Sequence, residues 1–247
     1  MSTVKTQIVV ASHKENLWWV PKIKDLGYDV IVYNTGAHGA FSFSLDDNME
    51  MSGLQRIDHI KLPNTDREAG QFLHHMVHQR NNLSEYTLFL QADLGWSCSN
   101  HEKHLLGASE EAVEKLVTWL EESSKSQADF LSYGHVRPEY RQTNTHDEDI
   151  FRDLMSPLGA TCCPYATAVG TNGGQFRASR DKILSIPESY LAGLLELSGK
   201  QPLAHRLEWS WGLVLDSSKA SFISSDCSNK NTHTTNENVI PETTRVC

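Results

Sequence analysis

No Cys-x-x-Cys pair occurs in this sequence, and its five cysteines are an odd number: Cys98, Cys162, Cys163, Cys227 and Cys247. Adjacent Cys162 and Cys163 are poorly placed to bond to each other, so neither a disulfide scaffold nor a zinc ribbon is expected. Reduced, partly buried thiols are the reading that remains. Long apolar runs are lacking too. Near the start only residues 7–11 stand between polar positions, and His13, Lys14 and Glu15 follow at once. That is neither the apolar region of a signal peptide nor a membrane span, so a cytoplasmic protein with no membrane partner is expected. Cations are in the minority: 22 Lys and Arg against 31 Asp and Glu leave a net charge of -9. Bulk binding to a phosphate backbone needs clustered cations, so nucleic acid is expected only as an acceptor bearing a modified base.

Common catalytic signatures are absent as well. No Gly-x-Gly-x-x-Gly follows the first strand, which disfavours a dinucleotide-binding fold. There is no phosphate loop ending in Gly-Lys-Ser/Thr, no Gly-x-Ser-x-Gly elbow and no His-Glu-x-x-His.

What is present is an alternation of short apolar strands with helical stripes. Residues 7–11 (QIVVA) read as a buried parallel strand, and residues 28–33 (YDVIVY) as a second, stopped by Asn34-Thr35-Gly36. Residues 22–26 predict a short helix between them, closed by Gly27. Residues 35–56 read as loop and 57–62 as a further strand. Asn64 or Thr65 then caps a helix whose apolar stripe is Phe72, Leu73, Met76 and Val77. Residues 88–90 form a strand that runs into Gln91-Ala92-Asp93. Ser109 caps a helix with Val113, Leu116, Val117 and Leu120 at i, i+3, i+4 and i+7. Residues 130–136 predict one strand, 137–160 a long polar excursion, and 165–169 a lead into Gly173-Gly174 and residues 175–179. Helices are expected over 180–186, 188–198 and 207–215, the first two divided by Pro187.

About six strands mostly separated by helices predict an α/β fold: one Rossmann-like domain over residues 1–216, its central sheet mostly parallel and covered by helices. Residues 217–247 are rich in Ser, Asn and Thr and predict an irregular tail.

In an open parallel sheet a ligand lies beyond the carboxyl ends of the strands. That rule selects His13 and Glu15 after the first strand, Asn34 after the second, and Gln91 and Asp93 after the strand at 88–90. A carboxylate at Asp93 is where a divalent cation, Mn²⁺ or Mg²⁺, would bridge a nucleoside diphosphate, although Gln91 stands where a first carboxylate would be. The plain alternative is a strand-end Asp that caps the next turn. Asn64 and Arg67 open a helix whose positive end can meet a pyrophosphate, or Arg67 can pair with Asp93; ordinary first-turn capping competes with both. Gly174 lets backbone approach a ligand, and Gln175 can bond sugar hydroxyls, unless the pair is simply a turn. Glu208, in HRLEWSWG, is suited to take a proton from an acceptor hydroxyl, while Trp209 and Trp211 read better as core. His74 and His78 share a helix face, but their apolar neighbours favour packing over zinc. His233, in the tail, is a second ligand for the cation at Asp93.

The segments IVVASHKENLWWV, VIVYNTG, LPNTDREAGQFLHHMV, LSEYTLFLQAD, GGQFRASRDKI and LEWSWGLV, in that order, resemble an uncharacterised domain family of fungi, bacteria and phages whose layout looks like that of GT-A glycosyltransferases. The likeness spans roughly residues 7 to 215 and is most specific around Asn64, Arg67, Glu68 and FLQ-x-D. It implies a nucleotide lip at His13 and Glu15, a metal position at Asp93 and a catalytic carboxylate at Glu208. It also implies transfer of a sugar from a nucleoside diphosphate sugar, a UDP-sugar foremost, to a hydroxyl of a glycan, protein or modified base. The chain departs from the family in having Ala92 where Gly is frequent, and Leu94-Gly95-Trp96 instead of a Pro-Phe type turn. A non-catalytic nucleotide- or sugar-binding module and a metal-dependent hydrolase are the competing readings.

Overall fold

The computed structural model describes residues 5–13, 15–36, 58–63, 67–94, 108–133, 136–139, 168–171 and 174–199, together with Leu207, Trp211, Val214 and Leu215. The tail at 217–247, and Asn64, Glu208, Trp209 and His233, lie outside the described residues.

A mixed α/β domain emerges. Its strands are β1 (Thr6–Ser12), β2 (Asp29–Asn34), β3 (Asp58–Lys61), β4 (Tyr86–Gln91), β5 (Phe130–Ser132), β6 (Val136–Glu139), β7 (Ala168–Thr171) and β8 (Phe176–Ser179). Its helices are α1 (Val20–Asp25), α2 (Arg67–His78), α3 (Glu110–Ser123), α4 (Arg180–Ser185) and α5 (Glu188–Ser198). The main sheet has six strands in the order β3-β2-β1-β4-β8-β5, and β6 pairs with β7 in a separate two-stranded sheet.

The expectation of a mostly parallel sheet is corrected here. The pairs β1–β2, β1–β4 and β2–β3 are parallel, but β8 enters antiparallel to both β4 and β5. Short apolar strands carry no mark of direction, because a buried run looks the same read either way. The strand predicted over 130–136 is also divided: β5 ends at Ser132, and Val136 opens β6 in the smaller sheet.

The pleat explains the two cores. Along β1, Ile8 and Val10 face one side while Val9 and Ala11 face the other. Val30, Val32, Leu88 and Leu90 join Ile8 and Val10 under α1 and α3, with Trp19 and Leu116 filling between them. Ile31, Tyr33 and Phe89 join Val9 under α2 and α5, with Phe72, Leu73, Met76 and Leu191. Burial on both faces is why these strands read as unbroken apolar runs. Helix starts follow local chemistry: the Ser109 hydroxyl accepts from the Ala112 amide, and the Ser179 hydroxyl from the Lys182 amide. Gly27 closes the turn after α1 at φ 93, a conformation that favours glycine. Trp211 stacks on Phe176 with centroids 5.2 Å apart and is fully buried, the packing role expected of it. No helix among the described residues is long and apolar enough to cross a membrane.

Candidate functional site

Strand order defines the site. From β1 the chain moves outward through β2 to β3, then returns to the other side of β1 with β4. The edge beyond the carboxyl ends of β1 and β4 is therefore a topological switch point. Because β8 runs the opposite way, its beginning, not its end, lies at that same edge. β5 runs with β4, so Ser132 and Tyr133 reach the edge too.

His13, Asn34, Gln91 and Asp93 stand at the ends of β1, β2 and β4, and Gly174 and Gln175 stand at the start of β8. One edge of one sheet collects residues that the sequence scatters over more than 160 positions. α2 runs back along the sheet with its first turn at this edge: Gln71 bonds the end of β1 and donates to the Arg67 carbonyl at 3.3 Å. Arg67 is exposed and has φ 47, a left-handed backbone that costs a non-glycine residue energy. Leu207 and Trp211, which flank Glu208, are buried in the same core as Phe72 and Phe176.

The lip itself is a closed hydrogen-bond set. The Ser12 amide donates to Gln71 Oε1 at 3.1 Å, and Gln71 Nε2 donates back to the Ser12 carbonyl at 3.5 Å. Glu15 Oε2 accepts from the Ser12 hydroxyl at 3.2 Å and from the His13 amide at 2.6 Å. His13 Nδ1 and the Thr35 hydroxyl are 3.2 Å apart. The Thr35 amide donates to the Ser12 carbonyl at 3.0 Å, and Asn34 Oδ1 accepts from the Gly36 amide at 2.6 Å. Glu15 and Asn34 thus shape backbone here. Gln71, buried at 3 % exposure, is the residue that sequence reasoning passed over. A polar residue interrupting an apolar helical stripe at Phe72, Leu73 and Met76 was the available signal.

Gly36 fits this lip because it has no side chain. A Cβ there would stand 1.9 Å from the His13 carbonyl oxygen, inside any tolerable contact. Gly36→Ala is expected to force the ends of β1 and β2 apart and to lower stability by about 2 kcal/mol. Gly193→Ala, inside α5 where a Cβ meets nothing within 4 Å, is expected to raise it by about 0.5 kcal/mol. Thermal denaturation of both variants checks the contrast.

The Mn²⁺ or Mg²⁺ site expected at Asp93 is corrected. Among the described residues no group of three or more His, Cys, Asp or Glu side chains is placed to hold a metal ion. A carboxylate at a strand end needs further oxygen or nitrogen ligands converging on it to hold such a cation. The histidine pair does not supply a metal site: His74 and His78 stack with centroids 4.3 Å apart on α2. Burial, and then the charge of His78, holds the His74 pKa below its ordinary value.

A cavity of about 490 Å³ lies at the opposite edge, where β1 and β4 begin, lined by Lys5, Glu85, Tyr86, Asp129 and Arg180 among others. None of the candidate residues borders it. No protein-family model matches the chain, and no curated protein matches it.

Proposed function

We propose that this protein is a glycosyltransferase on a GT-A-like fold, moving a sugar from a nucleoside diphosphate sugar to a hydroxyl acceptor. The observation that carries the reading is the switch point: the ends of β1, β2 and β4 and the start of β8 bring His13, Asp93 and Gln175 to one edge. A crevice of that kind is where open α/β sheets bind nucleotides. The first turn of α2 and Arg67 offer positive charge to a diphosphate at the same edge. His13, held by Thr35, offers its ring beside them.

In the reaction the acceptor oxygen attacks the anomeric carbon as the bond from that carbon to the diphosphate oxygen breaks. The acceptor proton passes to the Glu208 carboxylate, and the diphosphate leaves with the bonding electrons. Asp93, half-buried at the end of β4, orients the sugar by accepting from its hydroxyls. Preorganised donors around the leaving diphosphate stabilise the charge that develops on it. The acceptor is a glycan, a protein hydroxyl or a hydroxylated base.

Incubation with a panel of nucleotide sugars tests this. Wild type is expected to release free nucleoside diphosphate, and Glu208→Gln to slow release by about 100-fold, the lower end of what a general base contributes. No release from any donor by wild type sinks the enzymatic reading. A second reading, a module that binds nucleotide sugars without turnover, is favoured by the absence of a ligating cluster around Asp93 among the described residues. It predicts binding by calorimetry with no release.

A further inference from the structure

The strand-end rule selects Asn34 and passes over Thr35, yet the Thr35 hydroxyl is the group that holds the His13 ring. Thr35 is buried, at 8 % exposure, directly after β2. Its hydroxyl donates to the Ser12 carbonyl at 3.4 Å, and the same oxygen lies 3.2 Å from His13 Nδ1. A hydroxyl has one hydrogen to give and two lone pairs with which to accept. The hydrogen is committed to the carbonyl, so the bond to the ring forms when Nδ1 carries a hydrogen and donates it. That arrangement makes both bonds at once, and the other tautomer makes only one of them. A neutral imidazole with its hydrogen on Nδ1 has a bare lone pair on Nε2. Nε2 has no partner among the described residues, and the His13 side chain is half-buried at the carboxyl edge.

We propose that Thr35 is a positioning residue: it fixes His13 as the Nδ1–H tautomer, so that Nε2 takes up a proton when a diphosphate binds at this edge. This rests on the nucleotide-sugar reading and adds the protonation state in which the ligand is held. A bare Nε2 only accepts, and so does a diphosphate oxygen, so the two meet only through an added hydrogen. The proton comes from solvent and binds Nε2, and the imidazolium N–H then donates to a phosphate oxygen in a charge-assisted hydrogen bond. The bond from Nδ1 to Thr35 is the same before and after, so the ring gains its charge without turning. With the hydrogen on Nε2 instead, protonation would place a second one on Nδ1 and force the Thr35 hydroxyl to turn. The charged groups at this edge are Glu15, which holds the His13 amide at 2.6 Å, Asp93 after β4, and Arg67 and Glu68 in the first turn of α2. Lys14 follows His13 in the chain, and β2 ends in the uncharged Asn34 and Thr35. The negative charge of the ligand, added to this set, favours the charged imidazole.

Two measurements test it. In protein carrying isotope-labelled histidine, proton–nitrogen NMR reports which ring nitrogen is protonated, and His13→Gln assigns the signal. At about pH 8, where histidine is ordinarily neutral, the His13 ring is expected to carry its hydrogen on Nδ1 in wild type and in Thr35→Ser. In Thr35→Val, which keeps the shape and loses the hydroxyl, the hydrogen is expected to shift toward Nε2. A wild-type ring protonated on Nε2, or a tautomer unchanged in Thr35→Val, overturns the inference. Calorimetry with a UDP-hexose near neutral pH, in buffers of different ionisation enthalpy, then counts protons, because that ligand has no phosphate that titrates in this range. Wild type and Thr35→Ser are expected to take up protons on binding, and His13→Gln none. Thr35→Val is expected to take up fewer and to bind roughly tenfold more weakly, about the effect of one hydrogen bond. Melting without ligand reports folding, and the wild-type tautomer and proton count decide the matter even where Thr35→Val does not fold. Wild-type binding without proton uptake, or uptake retained in His13→Gln, overturns the inference and leaves the nucleotide-sugar reading standing. Failure of wild type to bind any nucleotide sugar sinks that reading and the proton step with it, whereas the tautomer, read without ligand, still decides the role of Thr35.

Discussion

Stability is expected to fall by about 3 kcal/mol as the pH drops from 6.5 toward 4, with His75 as the chief cause. His75 is fully buried on α2, its Nδ1 3.1 Å from the Tyr33 hydroxyl and its ring edge-on to Phe89. Burial, and then the nearby charge of His74, pushes its pKa down to about 4. The sign follows directly. In the folded protein His75 stays neutral through this window, while the unfolded chain takes up a proton below about 6.5. Acid therefore favours the unfolded chain. The contribution is fully present above 6.5, is lost as the pH falls toward 4, and does not change further below that. His74, shifted down for similar reasons, acts in the same direction. Urea unfolding at pH 7 and pH 4.5 measures the difference. The double variant Tyr33→Phe, His75→Leu removes both partners together, so it leaves neither one stranded. It is expected to lose most of the pH dependence, and an unchanged slope would place the cause elsewhere.

Arg177→Met is expected to cost about 3 to 5 kcal/mol, enough to lower the melting temperature by roughly 10 °C. Arg177 is 1 % exposed on β8, and its guanidinium lies 4.2 Å over the Tyr86 ring. Nη1 donates to the Ser123 carbonyl, and Nη2 donates to the carbonyls of Ser126 at 2.8 Å and Ala128 at 3.2 Å. Ser123 is the last residue of α3, where carbonyls lack intrahelical partners and the helix dipole is negative. One side chain thus ties the end of α3 to a central strand. Desolvation lowers its pKa, and the Tyr86 hydroxyl acts in the opposite sense. Removing the guanidinium strands three carbonyls at once. Arg177→Lys is expected to recover less than half of the loss, because a single ammonium cannot span the fork. Chemical denaturation of the two variants distinguishes this from a simple packing defect, in which Met and Lys would not separate in this order.

Residue patterns along the chain and their three-dimensional outcome agree where the cause is local. The run at 7–11 becomes β1 because neighbouring strands and helices cover both its faces. Ser109 starts α3 through its own hydroxyl, and Pro187 separates α4 from α5. Polar residues at strand ends were selectable by rule, and His13, Asn34, Gln91 and Asp93 do stand at the carboxyl edge. Three features escaped. Arg177 looks from its neighbours like an exposed strand cation, yet its acceptors lie 49 to 54 positions away. Gln71 and His75 sit on a stripe read as apolar, and their partners Ser12 and Tyr33 belong to other elements. The metal expectation assumed that ligands distant in sequence would converge on Asp93, and among the described residues they do not.

The sequence by itself determined β1, β2, β4, α2, α3, α4 and α5, because periodicity, capping and turn residues act over a few neighbours, but not the break after Ser132 or the strand at Val136–Glu139, inside a stretch read as polar excursion. It also determined that His13, Asn34 and Asp93 fall just past strand ends. Only the tertiary structure decided that β8 runs against its neighbours, that Gln175 consequently shares an edge with Asp93, and that Arg177 holds the end of α3. Strand direction and long-range pairing are settled by which packing buries both faces of the sheet and satisfies its backbone at once. That is a property of the assembled chain and is written in no short segment of it.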